Sequence, residues 1–278
     1  MSVEEHTYED NRYEDNRHEN NGHEPYLERV KFDLIKRKVT VARKEYIGDS
    51  LVRLYLQGPE LIGFRSESPD DHIKIFLPDA SGDLSVKRDY TPRRYDAERN
   101  ELLLEFVAHP GGPAAEWAMA ADIGDTLEFG GPRGSQKIHN PEGRWLLIGD
   151  ESAIPAIARR IEESAAGEAV TAVLLVQSPA DAEAIYSWAE SVSGAAQSID
   201  LSIHCIQRPL SQAGDATGIL SYLKESNIDA GTFAWIAGES SMVKSVRRYL
   251  MDDLNWSKNY IKASGYWKQG TSEGKENF

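Results

Sequence analysis

The chain is short of three things, and each shortage closes off a class of function. Its 278 residues contain one cysteine, Cys205. Within this chain that excludes a disulfide, a four-thiolate zinc site and a cysteine-held iron–sulfur cluster. Positive charge is scarce: 31 Lys and Arg against 45 Asp and Glu give a net charge of −14. That is the wrong sign for gripping a polyanion by counterion release, so nucleic acid is not an expected partner. A local basic pocket can still hold a small anion. Long apolar runs are missing too. The longest, AVTAVLLV over Ala169–Val176, is far below the ~20 residues that cross a bilayer. The opening MSVEEHTYEDNRYED shows no basic-then-apolar leader. The expectation is a cytoplasmic, monomeric protein without membrane insertion, whose redox group, if it has one, is borrowed.

What is present suffices for a folded protein of roughly two domains, with 40% hydrophobic and 27% charged residues. The first 25 residues stand apart. YEDNR occurs twice, at 8–12 and 13–17, and the segment holds eight acids, two arginines and almost nothing aliphatic. So little apolar surface cannot offset chain entropy, which predicts a disordered tail. His6, His18 and His23 fall there at irregular spacing, a solvated charge run rather than a metal site.

Over residues 26–137 the pattern has period two, in LVRLYLQG, HIKIFL and ELLLEFVA, with turn signals at QGPE, PDASGD, DAERN and FGGPRG. Short strands between Gly, Pro and Asp clusters predict an antiparallel barrel or sandwich. One short helix, PAAEWAMAA, interrupts them with proline in its first turn. After QKIHNPEG the rhythm changes. The apolar runs RWLLIG, AVTAVLLV, LSIHCI and FAWIAG alternate with amphipathic stretches, the pattern of a parallel sheet with helical crossovers. The predicted organisation is a tail over 1–25, a β-barrel domain over 26–140 and an α/β domain over 141–278.

The densest chemistry is in RDYTPR. On a strand Arg88 and Tyr90 share a face and Thr91 opposes them. Against a flavin they could neutralise a phosphate, lie along the ring and hydrogen-bond a ring nitrogen. The alternative is an edge strand ending in a Pro turn with two solvated arginines. Further on, His109 precedes Gly111, Gly112, Pro113, Ala114 and Ala115. A glycine pair before a helix start aims backbone N–H groups at one point and suits a pyrophosphate; viewed alone, a plain turn into a helix explains it equally well.

Taken together, RDYTPR, FVAHPGGPAAEWA, GPRGS, GDESAIPAI, WIAGESSMVKSVRRYL, the terminal GYW and DDHIKIF make the chain resemble the siderophore-interacting proteins. These are cytoplasmic FAD-dependent ferric-siderophore reductases of the ferredoxin-reductase superfamily, and the resemblance spans about residues 32–267. It implies a β-barrel FAD domain followed by an α/β NAD(P)-binding domain. Arg88, Tyr90 and Thr91 would hold the flavin and phosphates, and His109 with the 111–115 turn the pyrophosphate and adenosine side. Trp267 would cover the flavin face where nicotinamide enters. Lys74 and Arg133 would attract an anionic ferric chelate; His72, two residues before Lys74, could face the same cleft as a flavin or substrate contact.

For the nicotinamide nucleotide the Gly149–Ser152 turn, with Glu151 and Ser152, and the Gly238-Glu239-Ser240 turn would lie at ends of parallel strands. Lys244, Arg247 and Arg248 could pair with a 2′-phosphate and favour NADPH over NADH, or form a basic stripe on a solvated helix face. The strand-to-helix turn reads GDESAIP, so no GxGxxG fingerprint is present. Cys205 alternates with Leu201 and Ile203 and is expected to be a buried structural thiol. Ser152 and Ser240 read as helix caps or cofactor contacts rather than nucleophiles. The expected activity is reduction of Fe(III) to Fe(II) in a siderophore, set against a reductase for a protein acceptor such as ferredoxin, or a siderophore carrier without turnover.

Overall fold

The computed structural model describes residues 24–193, 199–271 and 276–278. Most of the predicted tail, with its three histidines, lies outside the described residues.

Seven antiparallel strands form the first sheet, in the order β5(Val86–Tyr90), β4(Ile73–Leu77), β8(Thr126–Gly130), β2(Lys36–Ile47), β3(Leu51–Gln57), β7(Glu101–Val107), β6(Arg94–Asp96). A ribbon of β1(Tyr26–Lys31) and β9(Gly134–His139) stands beside it. The alternation in β4 is the reason it forms: Ile73, Ile75 and Leu77 are buried while Lys74 is exposed. Helix α1(Pro113–Ala120) closes this core with Ala114 and Ala118.

The second sheet runs β12(Asp200–Gln207), β11(Ala169–Val176), β10(Arg144–Gly149), β13(Phe233–Glu239), β14(Ile261–Trp267), β15(Glu276–Asn277). All pairs are parallel except β14 with β15. Strand β10 shows why its apolar run needs two covered faces. Trp145 and Leu147 pack with α2(Ile154–Glu162) and α3(Pro179–Ser193), whereas Leu146 and Ile148 pack with α4(Thr217–Glu225) and α5(Ser240–Arg248). On α2, Ile154, Ile157 and Ile161 recur at helical spacing and are all buried. Each such burial contributes roughly 1.5–3 kcal/mol.

Several polar ties join the two sheets. Arg93, 4% exposed, donates to both carboxylate oxygens of Glu162 at 2.6 Å, and the Trp188 indole donates to Glu162 Oε1 at 2.9 Å. Arg159 reaches Ser66 Oγ at 2.7 Å and the Pro92 carbonyl at 3.1 Å. Asp181 on α3 accepts the Asp49 and Ser50 amides and the Ser50 hydroxyl at 2.7–2.8 Å. Lys262, buried on β14, pairs with Asp70 at 2.6 Å.

The strand–helix sequence of the second half agrees with the pattern predicted for it, except that β14 and β15 were not anticipated. Cys205 differs in degree. It shares its face with Leu201 and Ile203 but is only partly buried, because β12 is the sheet edge. Burial still pushes its thiol pKa up, away from the nucleophilic form. No helix among the described residues is long and apolar enough to cross a membrane.

Candidate active site

A cleft of about 1120 Å³ opens where the barrel meets the C-terminal ends of the parallel strands. That exceeds ordinary small-molecule pockets of ~300–1,000 Å³, and its place at strand C-termini is where α/β sheets bind ligands. Arg88, Tyr90 and Thr91 line its barrel side. The strand ends at Tyr90, so Thr91 escapes the alternation and faces the cleft as well, rather than opposing the other two. The Tyr90 ring packs on Phe106, 4.3 Å between centroids, and burial pushes its phenol pKa up. Arg93, one of the two arginines that the alternative reading left solvated, is the buried partner of Glu162 described above.

His109, Gly111, Gly112, Pro113, Ala114 and Ala115 form the adjoining wall. Gly111 sits at φ +84° with open space where a Cβ would be, and a Cβ on Gly112 would strike His109 Cε1 at 2.5 Å. Glu116 accepts the Gly111 amide at 2.8 Å. The amides of Ala114 and Ala115 lie in the first turn of α1, where helical N–H groups have no intrahelical partner.

The opposite wall comes from the α/β sheet: Glu151, Ser152, Pro155, Tyr266, Trp267 and Lys268. Beneath them Asp150, fully buried, accepts from Ser152 N at 2.9 Å, Ser152 Oγ at 2.5 Å, Glu239 N at 2.8 Å and Trp267 Nε1 at 2.9 Å. Arg208, 6% exposed, donates to Glu151 Oε2 at 3.1 Å, while its Nε and Nη1 are buried without a hydrogen-bond partner. Burial, with Asp150 alongside, raises the Glu151 carboxyl to about 7 against the pull of Arg208. The oxygens Glu151 Oε1 and Tyr266 Oη are also buried without hydrogen-bond partners. Burying such atoms unpaired is costly, and both residues line the cleft. Orphaned polar atoms, a glycine turn with open space and free first-turn amides fit a polar dinucleotide.

Charges of both signs ring the cleft, whose acids are Asp70, Asp89, Glu105, Glu151 and Glu276. Lys74, Lys87, Arg88 and Lys268 line it together with His72. Lys74 is paired with Asp89 at 2.7 Å, which offsets part of its charge. Other predicted residues lie elsewhere. Arg133 is exposed and not among the lining residues. Lys244, Arg247 and Arg248 lie on α5 and are not among the lining residues, although Lys244 is held at 2.7 Å by Glu276, which is, and is set over the Phe278 ring. Gly238 and Glu239 sit behind the wall rather than on it. Glu239, not Ser240, caps α5 by accepting Ser241 N and Met242 N; the Ser240 hydroxyl donates to the Trp267 carbonyl at 3.1 Å. At α2 the N-cap is Ala153, because the Ser152 side chain is turned to Asp150.

Reasoning from sequence placed Asp150 in the Gly149–Ser152 turn and Tyr266 in the terminal GYW without giving either a role, and missed Arg208, Lys87 and Lys268. The last two flank quoted motifs and could have been found there. Nothing in the sequence pairs Arg208 with Glu151 across the sheet.

Comparison with known proteins agrees with this architecture. A family model described as siderophore-interacting protein matches residues 143–270, and one described as siderophore-interacting FAD-binding domain matches 40–86 and 80–136. The chain is 32% identical over 263 residues to the NADPH-dependent ferric-chelate reductase of Escherichia coli, covering 87% of this chain and 96% of that one. It is 30% identical to the ferric vibriobactin reductase ViuB of Vibrio cholerae, covering 85% and 91%. A siderophore utilization protein from T. fusca superposes with a TM-score of 0.75 at 29% identity, covering 88% of this chain and 97% of that one. The chain therefore belongs to the siderophore-interacting protein family, as an oxidoreductase built on that family's FAD-binding barrel and a parallel α/β sheet.

Proposed function

We propose that the chain is an NADPH-dependent, FAD-containing reductase of ferric siderophores that releases iron in the cytoplasm. One observation carries the reading. The RDYT strand, the HPGGPAA turn and the ends of β10 and β14 all face a single cleft, with Lys74, Lys87, Arg88 and Lys268 set among its acids. Residues 26–140 would then carry the flavin and 141–278 the nicotinamide nucleotide, with NADH the alternative donor.

FAD, when bound, converts a two-electron hydride donor into one-electron steps. The chain's own part is to bind, orient and attract. Gly111 leaves space for a pyrophosphate and Gly112 makes room for the His109 ring beside it. The Ala114 and Ala115 amides would donate to the pyrophosphate at the positive end of α1. Arg88 neutralises phosphate charge, and Thr91 and Tyr90 hold the ring. Lys74, Lys87 and Lys268 raise the local concentration of an anionic chelate. Fe(III) is a hard ion suited to catecholate and hydroxamate oxygens, and Fe(II) binds them far less well, so reduction is release. No general acid or base is required.

The test is anaerobic single turnover of FAD-replete protein. NADPH is expected to bleach the flavin absorbance, and a ferric triscatecholate to restore it with matching Fe(II) in a trap. A bleached protein indifferent to the chelate would move the acceptor to a protein such as ferredoxin. A protein that binds chelate without stoichiometric FAD would be a carrier.

A further inference from the structure

Asp150 occupies a place that cofactor binding alone does not explain. Its carboxylate is 0% exposed, yet it receives four hydrogen bonds from three strand ends. Oδ1 takes Ser152 N and Oγ after β10, and Oδ2 takes Glu239 N at the end of β13 and Trp267 Nε1 at the end of β14. Room for it is made by Gly238 at φ +137°, where a Cβ would fall 2.7 Å from Asp150 Cγ. A register shift between Gly238 and Glu239 sets Glu239 opposite Trp267, bringing the indole to the carboxylate. A hydrogen bond to an ionised acceptor away from water is among the stronger ones. The same indole forms part of the cleft wall.

We propose that Asp150 is a positioning residue, a latch that holds Trp267 closed over the cleft and so sets access of the nicotinamide ring. This rests on reading Trp267 as the cover of the bound flavin. A ligand that needs the cover displaced binds with an affinity reduced by the fraction of molecules unlatched. Weakening the latch therefore tightens the apparent affinity for the nucleotide without touching the chelate. Ser152, held by the same carboxylate and lining the cleft, ties the latch to the turn where the nucleotide would lie, while the Glu239 amide fixes the carboxylate from behind the wall.

Two variants test it in the FAD-loaded protein. Asp150→Asn leaves one oxygen where two each served two donors. Trp267→Phe keeps a ring but removes the indole N–H and leaves the other three bonds of Asp150 in place, so it remains informative if Asp150→Asn folds poorly. Each is expected to lower the KM for NADPH by about tenfold, as loss of one charge-assisted bond implies. The KM for a ferric triscatecholate should stay within about twofold and the double variant should add little, since both remove one interaction. Independently of turnover, the indole proton of Trp267, assigned by its absence in Trp267→Phe, should exchange with solvent at least about tenfold faster in Asp150→Asn. An exchange rate unchanged in Asp150→Asn overturns the latch. Faster exchange with an unchanged KM for NADPH in both variants overturns its control of access. A flavin absorption and fluorescence spectrum identical in Trp267→Phe and the native protein overturns instead the placement of Trp267 on the flavin, so the two failures are told apart.

Discussion

Glu151 shows how much a single side chain depends on what the fold sets beside it. In GDESAIP it is one acid after another, with no mark of unusual behaviour. Burial and the Asp150 charge raise its carboxyl from 4.5 to about 7, with Arg208 holding it back. The folded state therefore keeps a proton that the unfolded chain releases near 4.5. The stability Glu151 contributes is full below that pH, falls as pH rises towards about 7, and is flat above. Glu151→Gln cannot ionise and should remove this fall. Relative to the native protein, the Tm of the variant should climb across pH 4.5–7 and then level, since other titrating groups are common to both. Parallel Tm–pH curves would show that Glu151 titrates normally.

At the scale of elements, the interest lies in what joins α2 and α3 to the barrel. RDYTPR reads as one motif, but its residues divide by destination. Arg88, Tyr90 and Thr91 line the cleft, whereas Arg93 turns away to grip Glu162 with two 2.6 Å bonds. Burial opposes ionisation of Glu162, and the bonds from Arg93 and Trp188 outweigh it, leaving its pKa lowered. Arg93 is 4% exposed but Glu162 is 34% exposed, so removing Arg93 should cost about 2 kcal/mol, between the ~3–5 kcal/mol of a fully buried pair and the ~0–1 kcal/mol of a surface one. Arg93→Ala should lose an amount of that order in urea unfolding. Arg93→Lys should recover little, because an ammonium cannot reproduce the two-pronged geometry. A loss below about 1 kcal/mol would class the tie with ordinary surface pairs.

For the whole molecule the question is how a chain of net charge −14 would attract the anionic chelate proposed as its substrate. The lining interleaves Lys74, Lys87, Arg88 and Lys268 with Asp70, Asp89, Glu105, Glu151 and Glu276. The proposed attraction would therefore be local to the barrel-side cations Lys74, Lys87 and Arg88 rather than a property of the whole cleft. Lys74 is the informative member because Asp89 sits on it at 2.7 Å. Lys74→Ala should raise the KM for a ferric triscatecholate more than for a neutral ferric hydroxamate. Asp89→Asn should lower the triscatecholate value by freeing the ammonium. Both effects should shrink as salt brings the screening length below ~8 Å. Equal changes for the charged and neutral chelates would remove the electrostatic role.

The sequence by itself determined the elements and their order. Period two in HIKIFL, helical spacing in IPAIARRIE and the unbroken apolar runs RWLLIG and FAWIAG are local consequences of which faces must be buried. They also determined most of the barrel side of the cleft, because RDYT and HPGGPAA each act through residues adjacent in the chain. Only the tertiary structure decided the other wall. Asp150, Arg208 and Trp267 come from three strands whose ends meet only once the sheet order is set. The same assembly placed Lys244 against the C-terminal strand rather than at the cleft and made Glu239 the cap of α5. Local pattern records whether a side chain is buried. Which carboxylate or cation it meets there is set by strand order and register, and a pattern of apolar spacing does not encode these.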